Sequence, residues 1–438
     1  MSRILPDVVV TPQELPAEVD VVIIGGGIIG VSTALSLVER GLRVAVCEKG
    51  LIGAEQSARN WGWVRQMGRD AAELPLAIES LRLWRSMNER INGETGFRQA
   101  GIAYLCETDA DVAMYEDWLK HALPLGLDSR LVTGAALQTL VPGAAKPFKA
   151  ALYTSSDAKA EPMLAAPAIA RGAAAKGAHI LTNCAVRTVE RTAGRVSSVV
   201  TERGEIRCAS VVLAGGAWSR RFAGNMGIDF PSLTILGSVA RLSSIDGVPD
   251  MAVGASNFSF RRRLDGGFTV AQRNANIAPL TPDSFRLFVD YMPTLIKSWR
   301  ELTLRVNGQF VREWGMARKW SADDVTPFEQ VRILDPDPSL RFVHGGIDYL
   351  RQAFPVFGAA KLTQMWGGLM DVTPDAVPVI APVGSLPGFY LCTGFSGHGF
   401  GIGPGAGALM ADLITGATPC VDPRPFRMER FSRLKAFA

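Results

Sequence analysis

The 438-residue sequence predicts an α/β protein that combines a Rossmann-like domain with a second α+β domain containing a mixed antiparallel sheet. Three features predict this. Near the N-terminus, the apolar run "VDVVII" is followed at once by the glycine turn "GGGIIG" and a helical pattern. Further along, "FSFRRRLDGGFTVAQR" has the turn residues of an antiparallel hairpin. At the C-terminal end, a second glycine run, "GFSGHGFGIGPGAG", precedes an Ala- and Leu-rich helix.

The composition excludes several classes of protein. Hydrophobic residues make up 47% and charged residues 20%, which is an ordinary globular balance. The net charge of +4 is small, and its Lys and Arg residues are scattered, so no nucleic-acid partner is expected. The six cysteines stand far apart without a C-x-x-C pair, and there are four histidines, so neither a disulfide framework nor a metal site is predicted.

The first glycine turn has the spacing of a dinucleotide-binding motif. Gly25, Gly27 and Gly30 stand in G-x-G-x-x-G register between a predicted strand over 19–24 and a helix over "IIGVSTALSLVER". The first glycine permits the tight turn, the second lets a pyrophosphate approach the backbone, and the third allows the helix to press against the strand. The next strand, "LRVAVCE", ends on Glu48, followed by Lys49. An acid there binds free ribose hydroxyls, which favours FAD or NAD over NADP.

The rest of the chain favours FAD, because it resembles the D-amino-acid-oxidase-like flavoproteins (glycine oxidase and sarcosine oxidase) along nearly its whole length. Besides the first turn, the resemblance rests on "AEQSARNWGWVRQMGRD", on "TNCAVRTVERTAGRVSSVVTERGEIRCASVVLAGGAWS" and on "TPDAVPVIAPVGSLPGFYLCTGFSGHGFGIGPGAGALMADLITG". The last block places free backbone N–H groups at a helix start, where they stabilise negative charge on a reduced flavin. The resemblance implies a strand that ends near Val186, on the adenine side. It also implies cofactor contacts at Ser57, Arg59, Asn60, Trp61, Gly62, Val186, Gly215, Gly394, Ser396, Gly397, His398 and Gly399.

The resemblance also bears on how FAD is attached and where the protein works. Relatives with covalent flavin carry a cysteine where this chain has Gly368, so FAD is expected without a covalent link. The best match is to bacterial L-amino acid deaminases, whose hydrophobic N-terminal helix this sequence lacks. Because "MSRILPDVVVTPQELPAEVD" is not a signal peptide, a cytoplasmic protein without a transmembrane segment is expected. Peripheral attachment to the inner membrane stays open, as does the choice of dioxygen or quinone as electron acceptor.

The nucleotide-binding blocks are interrupted twice, so the FAD domain is predicted to be discontinuous. An amphipathic helix is predicted over 75–92 and an Ala-rich helix over 162–176, and Asp265-Gly266 marks the hairpin turn. The predicted FAD-binding parts are 18–98, 155–225 and 365–438, and the predicted substrate-domain parts are 99–154 and 226–364.

The resemblance implies oxidative deamination of an amino acid, with hydride transfer from Cα–H to flavin N5 giving a 2-oxo acid and ammonia. Such catalysis is mostly positioning, and clamping the substrate carboxylate calls for the fork of an arginine. Arg273 in "AQRNAN" is the preferred clamp, and Arg263 or Arg261 is the alternative. Gln272, the residue before Arg273, is a further candidate for the active site. Further candidates are Arg262 and Arg65 among the arginines, and Leu236, Phe395 and Trp366 as pocket residues.

Other functions remain open at this stage. The chain could oxidise another amine, such as an opine, a hydroxyproline or an N-methyl amino acid, because only the pocket would differ. It could be a subunit of a hetero-oligomeric dehydrogenase that passes electrons to a partner. A non-catalytic flavin-binding protein is the third alternative. Stereochemistry and oligomeric state do not follow from the motifs.

Overall fold

The computed structural model describes residues 4–298 and 302–431, and its first layer is a six-stranded sheet. All neighbouring strands are parallel except the first two, which form an antiparallel pair. Two of its strands, Val21–Ile24 and Val44–Cys47, are short apolar runs in which every residue is buried, as a sheet covered by helices requires. In spatial order the strands are Val379–Pro382, Phe389–Thr393, Ser210–Leu213, Val21–Ile24, Val44–Cys47 and His179–Leu181.

Helices of small residues cover one face of this sheet. Ile28–Val38 packs between Pro162–Ala175 and the long last helix Gly399–Thr415, which also packs on Leu74–Arg85. Glycines allow this close approach: a Cβ on Gly407 would lie 2.5 Å from the carbonyl carbon of Ser32. The predicted first strand, first helix and Ala-rich helix are confirmed.

Two small antiparallel sheets flank the large one. One contains Val186–Thr192, Arg195–Thr201 and Gly204–Arg207, and the other contains Trp63–Val64, Ala158–Lys159 and Arg98–Gln99. The prediction that a strand ends near Val186 is wrong. The strand His179–Leu181 of the six-stranded sheet ends five residues earlier, and Val186 begins the next strand. The chain turns between them at Asn183, which has a φ of 46°.

The second domain contains a mixed, mainly antiparallel sheet of ten strands, as predicted. Its longest pair is Leu233–Leu242 against Leu362–Val372, so the predicted boundary at 365 falls inside a strand. The hairpin is confirmed, with its turn at Gly266, which has a φ of 81°. The other strands are Ile102–Cys106, Arg130–Val132, Ala150–Thr154, Ala252–Gly254, Ser259–Arg262, Phe268–Ala271, Asn276–Pro279 and Leu302–Arg305.

The remaining α-helices connect the strands along the chain. The helix predicted over 75–92 is present as two pieces that meet at Ser86, which leaves the helical conformation. No helix in the described ranges is long and apolar enough to cross a membrane. These helices are Gln56–Arg59, Met87–Ile91, Asp109–Ala122, Gly134–Leu140, Ser219–Asn225, Pro282–Arg286, Phe288–Ser298, Gly308–Gly315, Pro327–Gln330 and Leu340–Ala353.

Candidate active site

An elongated cavity lies at the carboxyl ends of the parallel strands. Ile24, Cys47, Leu213 and Thr393, each the last residue of its strand, all line it. Ligands of open α/β sheets bind in this position, because the loops that follow the strands diverge there and leave a crevice. We call it the cofactor cavity.

The glycine turn shapes one end of the cofactor cavity. Gly25 has a φ of 110°, and a Cβ there would lie 2.5 Å from the carbonyl oxygen of Ala214. A Cβ on Gly30 would lie 1.9 Å from the carbonyl oxygen of Gly25, so only glycine lets the helix press on the strand. Gly27 lines the cavity at the helix N-terminus, where free N–H groups and the helix dipole favour an anion.

Glu48 and Lys49 differ in how they are held. The carboxylate of Glu48 lines the cavity and accepts backbone hydrogen bonds from Gly26 and Gly50, each at 2.7 Å. Burial raises the pKa of Glu48, while the nearby Lys49 opposes that shift. Lys49 also lines the cavity, but its ammonium lies 2.6 Å from a carboxylate oxygen of Glu55. Its charge is therefore already compensated inside the protein.

The polar loop after the second strand follows the cavity wall. Ser57 lines it and accepts a hydrogen bond from the Ile28 N–H at 2.9 Å. Arg59, only 1% exposed, points away and donates to Asp335 at 2.7 Å. Two buried polar atoms here have no partner, Oε1 of Gln56 and Nη2 of Arg59. A cradle of obligatory glycines with orphaned polar atoms beside it fits a flavin dinucleotide.

The second glycine loop closes the other end. Gly397 and Gly399 line the cavity where the last helix begins. The side chain of His398 instead contacts the fully buried Glu73, with 2.8 Å between Nδ1 and Oε2. Burial and the nearby Arg69 lower the pKa of His398, which favours the neutral imidazole. The histidine therefore anchors the loop to the neighbouring helix.

The predicted cofactor residues fall into two groups. Those that line the cavity are Gly25, Gly27, Glu48, Lys49, Ser57, Asn60, Val186, Gly215, Gly397 and Gly399. Those outside its lining are Gly30, Arg59, Trp61, Gly62, Gly394, Ser396 and His398. Gly62 of the second group shows how such residues fix the path of the loop. Its N–H donates to the side-chain oxygen of Asn60 at 2.8 Å, and a Cβ on Gly62 would lie 2.5 Å from the Ala160 carbonyl oxygen.

An aromatic cluster holds two arginines beside the last helix. Trp63 packs against Tyr104, with ring centroids 5.8 Å apart. The guanidinium carbons of Arg273 and Arg65 lie 4.0 and 5.6 Å from the centroid of the same tyrosine ring. A Cβ on Gly401, in the first turn of the last helix, would lie 3.5 Å from the backbone nitrogen of Arg65. The cluster therefore lies next to the end of the cavity at which the last helix begins.

The hairpin arginines lie elsewhere. Arg261, 1% exposed, forms a two-point ion pair with Glu161 at 2.7 and 3.2 Å and donates to the Trp61 carbonyl at 2.7 Å. Arg263 contacts Asp265 at 3.3 Å and lies 3.8 Å from Glu161. The structure thus joins Arg261 and Arg263 in one ion-pair network that connects the hairpin to the first domain, and does not bring them to Arg273.

The other pocket candidates are separated as well. Gln272 packs on the helix Leu340–Ala353, where a Cβ on Gly345 would lie 2.9 Å from its Oε1. Trp366 donates its indole N–H to the Arg59 carbonyl at 3.0 Å. Of this set, Phe395 lines the cofactor cavity.

Sequence reasoning missed several residues of the cavity wall. Trp218 and Asp371 line it, although neither is among the predicted cofactor residues. Trp218 also borders a second cavity of about 670 Å³, which shares Leu369 with the first and contains Arg220 in its wall. Alternation along the strand Leu362–Val372 puts Leu369 and Asp371 on one face, and that signal could have indicated them.

Comparisons with known proteins agree with this geometry. The family model described as FAD dependent oxidoreductase (DAO) matches residues 20–413. The glycine oxidase of Pseudomonas aeruginosa is 27% identical, with 93% of this chain and 97% of that protein covered. The sarcosine oxidase subunit beta of Rhizobium meliloti is 26% identical, with 94% and 88% covered. The solved L-amino acid deaminase of Proteus myxofaciens, in complex with anthranilate, has a TM-score of 0.94 at 34% identity, with 98% and 97% covered.

The L-amino acid deaminase of Proteus vulgaris superposes with a TM-score of 0.92 at 32% identity, with 96% of this chain and 99% of that chain covered. The glycine cradle, the position of the cavity on the sheet and the family match over most of the chain all indicate a flavin-dependent redox enzyme. This chain belongs to the DAO family of FAD-dependent oxidoreductases.

Proposed function

We propose that the protein catalyses FAD-dependent oxidative deamination of an L-amino acid to a 2-oxo acid and ammonia. The observation that carries the proposal is the placement of Arg273 and Arg65 around the Tyr104 ring, beside the start of the last helix. The similarity to two L-amino acid deaminases, at 34% and 32% identity, favours the L series.

The chain's own residues would bind and orient the substrate. Arg273, whose guanidinium also approaches the hydroxyl of Tyr115 at 3.5 Å, would clamp the carboxylate. The buried indole of Trp63 and the ring of Tyr104 would exclude water from the carboxylate site, which strengthens the clamp. FAD, when bound, supplies the two-electron acceptor, and with glycine at 368 we expect it to be held without a covalent link.

We propose that the electron acceptor is a quinone or dioxygen. We also propose that the protein is cytoplasmic and makes peripheral contact with the inner membrane. Many large apolar side chains between residues 285 and 314 are exposed, and they support this contact, since exposed apolar surface marks a lipid or protein interface. They are Phe285, Phe288, Val289, Met292, Ile296, Leu304, Val306, Val311 and Trp314. The sarcosine oxidase subunit beta among the relatives also supports a partner subunit.

A second candidate function is oxidation of another amine, such as an N-methyl amino acid or an opine. The similarity to glycine oxidase and sarcosine oxidase subunit beta favours it. The residues that hold the cofactor would be the same in both cases, so only the substrate pocket distinguishes the two functions.

Anaerobic bleaching of the flavin tests both candidates. The holoprotein is mixed with L- and D-amino acids, N-methyl amino acids and opines, and the absorbance of oxidised FAD is followed. Rapid bleaching by L-amino acids alone supports the deaminase, and bleaching only by secondary amines supports the alternative. No bleaching by any L-amino acid, with FAD bound, would contradict the proposal.

The variant Arg273→Ala tests the clamp. Truncating one partner of a charge-assisted pair costs about 2–4 kcal/mol, so half-saturation of bleaching is expected at about 30- to 700-fold higher amino acid concentration. Arg263→Ala is the matched comparison, because its guanidinium contacts Asp265 and Glu161 instead. If Arg263→Ala loses bleaching and Arg273→Ala does not, the clamp is assigned to the wrong arginine.

A further inference from the structure

A buried carboxyl group with only neutral partners lies in the wall of the cofactor cavity. Asp371 is 8% exposed and lines the cavity. One of its oxygens, Oδ2, accepts hydrogen bonds from the Gly394 N–H at 2.6 Å and from the Thr393 hydroxyl at 3.1 Å. Within residues 4–298 and 302–431, no arginine, lysine or histidine forms an ion pair with it.

Two other buried acids of this chain contact a basic group, whereas Asp157, like Asp371, accepts hydrogen bonds from neutral groups. Glu161 is paired with Arg261, and Glu73 contacts His398. A carboxylate without such a partner is costly to bury, and burial raises the pKa of Asp371 while the two hydrogen bonds oppose that shift. Asp371 therefore binds a proton more readily than an ordinary aspartate.

The groups that face Asp371 from neighbouring elements are neutral or already engaged. Tyr291 donates its hydroxyl to the Val372 carbonyl, and burial raises the pKa of this phenol, so it stays neutral. Arg220 lies 3.2 Å from both Asp229 and Asp283, which compensate its charge. Thr234 is the neighbour across the strand pair.

From the glycine loop, the Ser396 N–H donates to the Asp371 carbonyl oxygen at 2.8 Å, and the imidazole of His398 contacts Glu73. The same loop contributes Gly397 and Gly399 to the cavity wall at the N-terminus of the last helix. Two elements of opposite sign thus act on one cavity. The helix N-terminus has a fixed partial positive charge, and the carboxyl group can gain or lose its negative charge.

We propose that Asp371 tunes the reduction potential of the bound FAD, because the carboxyl group takes up one proton from the medium when FAD is reduced. When FAD gains two electrons, its added negative charge favours the protonated carboxyl, so Asp371 takes up one proton from the medium. When FAD is reoxidised, that proton is released. The proposal requires bound FAD but not the amino acid substrate proposed above.

The proposal predicts how the reduction potential of the bound FAD depends on pH. In a pH window in which the carboxyl is ionised beside oxidised FAD and protonated beside reduced FAD, reduction consumes one additional proton. A tenfold change in proton concentration then changes the equilibrium constant for two-electron reduction by an additional factor of ten. The reduction potential therefore changes by about 30 mV more per pH unit. Outside the window, the additional slope is absent.

The test is a dye-equilibrated redox titration of the holoprotein from pH 5.5 to 9. Asp371→Asn keeps an acceptor for the Gly394 N–H but cannot ionise. Above the window, this variant is expected to favour reduced over oxidised FAD at least tenfold more than the wild type does. Its reduction potential should therefore be at least about 30 mV more positive. Below the window its potential should match the wild type, and the steeper segment should be absent.

Asp375→Asn is the matched control, because Asp375 lies four residues away, outside the cavity lining, and is paired with Arg430 at 2.6 Å. Its potential should follow the wild type at every pH. Identical curves for Asp371→Asn and the wild type, or curves separated by a constant offset at all pH values, would overturn the proposal.

If Asp371→Asn does not retain FAD, the wild-type curve alone decides, because a curve without a steeper segment between pH 5.5 and 9 refutes the linkage. Thr393→Val provides the second variant. Removing a donor to the ionised carboxyl raises its proton affinity, so the steeper segment should move to higher pH. Failure of amino acids to bleach the flavin would leave this titration unaffected, so the two proposals fail separately.

Discussion

Replacing Arg261 by Met separates a structural role from a catalytic one for the hairpin arginines. Arg261 is buried and donates to both carboxylate oxygens of Glu161 and to the carbonyl of Trp61. Glu161 also accepts the Leu264 N–H at 2.9 Å. The pair therefore joins the hairpin of the second domain to the segment that enters the helix Pro162–Ala175.

Removing one partner of a buried ion pair leaves an uncompensated charge, which costs about 3–5 kcal/mol. Arg263, whose guanidinium is 3.8 Å from Glu161, can take over part of the compensation, so we expect the lower half of that range for Arg261→Met. The double variant Glu161→Gln with Arg261→Met removes both charges and should lose less stability than the sum of the single variants.

Urea unfolding of the holoprotein, followed by tryptophan fluorescence and flavin release, measures these differences as shifts of the midpoint at unchanged slope. The bleaching rate of the folded Arg261→Met protein is measured beside it. An unchanged unfolding midpoint together with lost bleaching would refute the structural assignment and make Arg261 the clamp.

Two further results are expected. Gly30→Ala places a Cβ 1.9 Å from a carbonyl oxygen of the glycine turn, so the helix must separate from the strand, and the purified protein should lose the yellow colour of bound FAD. Its absorbance spectrum checks this, and retention of stoichiometric FAD would contradict the argument. Burial opposes ionisation of Glu161, but Arg261 and Arg263 outweigh it and lower the pKa of Glu161 below its unfolded value. Its contribution to the unfolding free energy is therefore complete above about pH 4.3 and lost as the pH falls through the lowered pKa, whereas Glu161→Gln should show a flatter acid limb. Parallel limbs for the two proteins between pH 3 and 5 would contradict the pairing.

The nucleotide-binding half could be predicted from the sequence because each element has a local signal. β-branched runs define the strands, and Gly41, with a φ of 81°, follows the end of the first helix. The glycine turn is encoded by sterics that act over six residues. Errors arose where the chain turns without glycine or proline, as at Ser86 and Asn183, because neither residue is a strong stop signal.

The roles of the arginines depend on contacts between residues far apart in sequence. Strand alternation places Arg261 and Arg263 on one face of the hairpin, but it does not reveal that Glu161, 100 residues earlier, lies opposite them. The polar run around Arg273 favours it as the clamp, but the sequence does not reveal its approach to Tyr104. For His398, the loop motif indicates a site near the flavin, whereas its imidazole contacts Glu73, the residue that precedes the helix Leu74–Arg85.

The charges around the cofactor cavity suggest how one wall can serve two steps of a redox cycle. The first turn of the last helix lies beside the backbone of Arg65, and the loop that precedes this helix donates the Gly394 N–H to Asp371. A permanent positive end near the cofactor favours the reduced state at every pH, and so by itself it would retain electrons rather than pass them on. If a carboxyl group is protonated in the reduced state and ionised in the oxidised state, reduction requires an additional proton. The reduction potential then falls more steeply as the pH rises. Reoxidation then becomes easier as the medium becomes more alkaline, and the Asp371→Asn protein, which keeps only the helix, should reoxidise with the weaker pH dependence of a fixed charge.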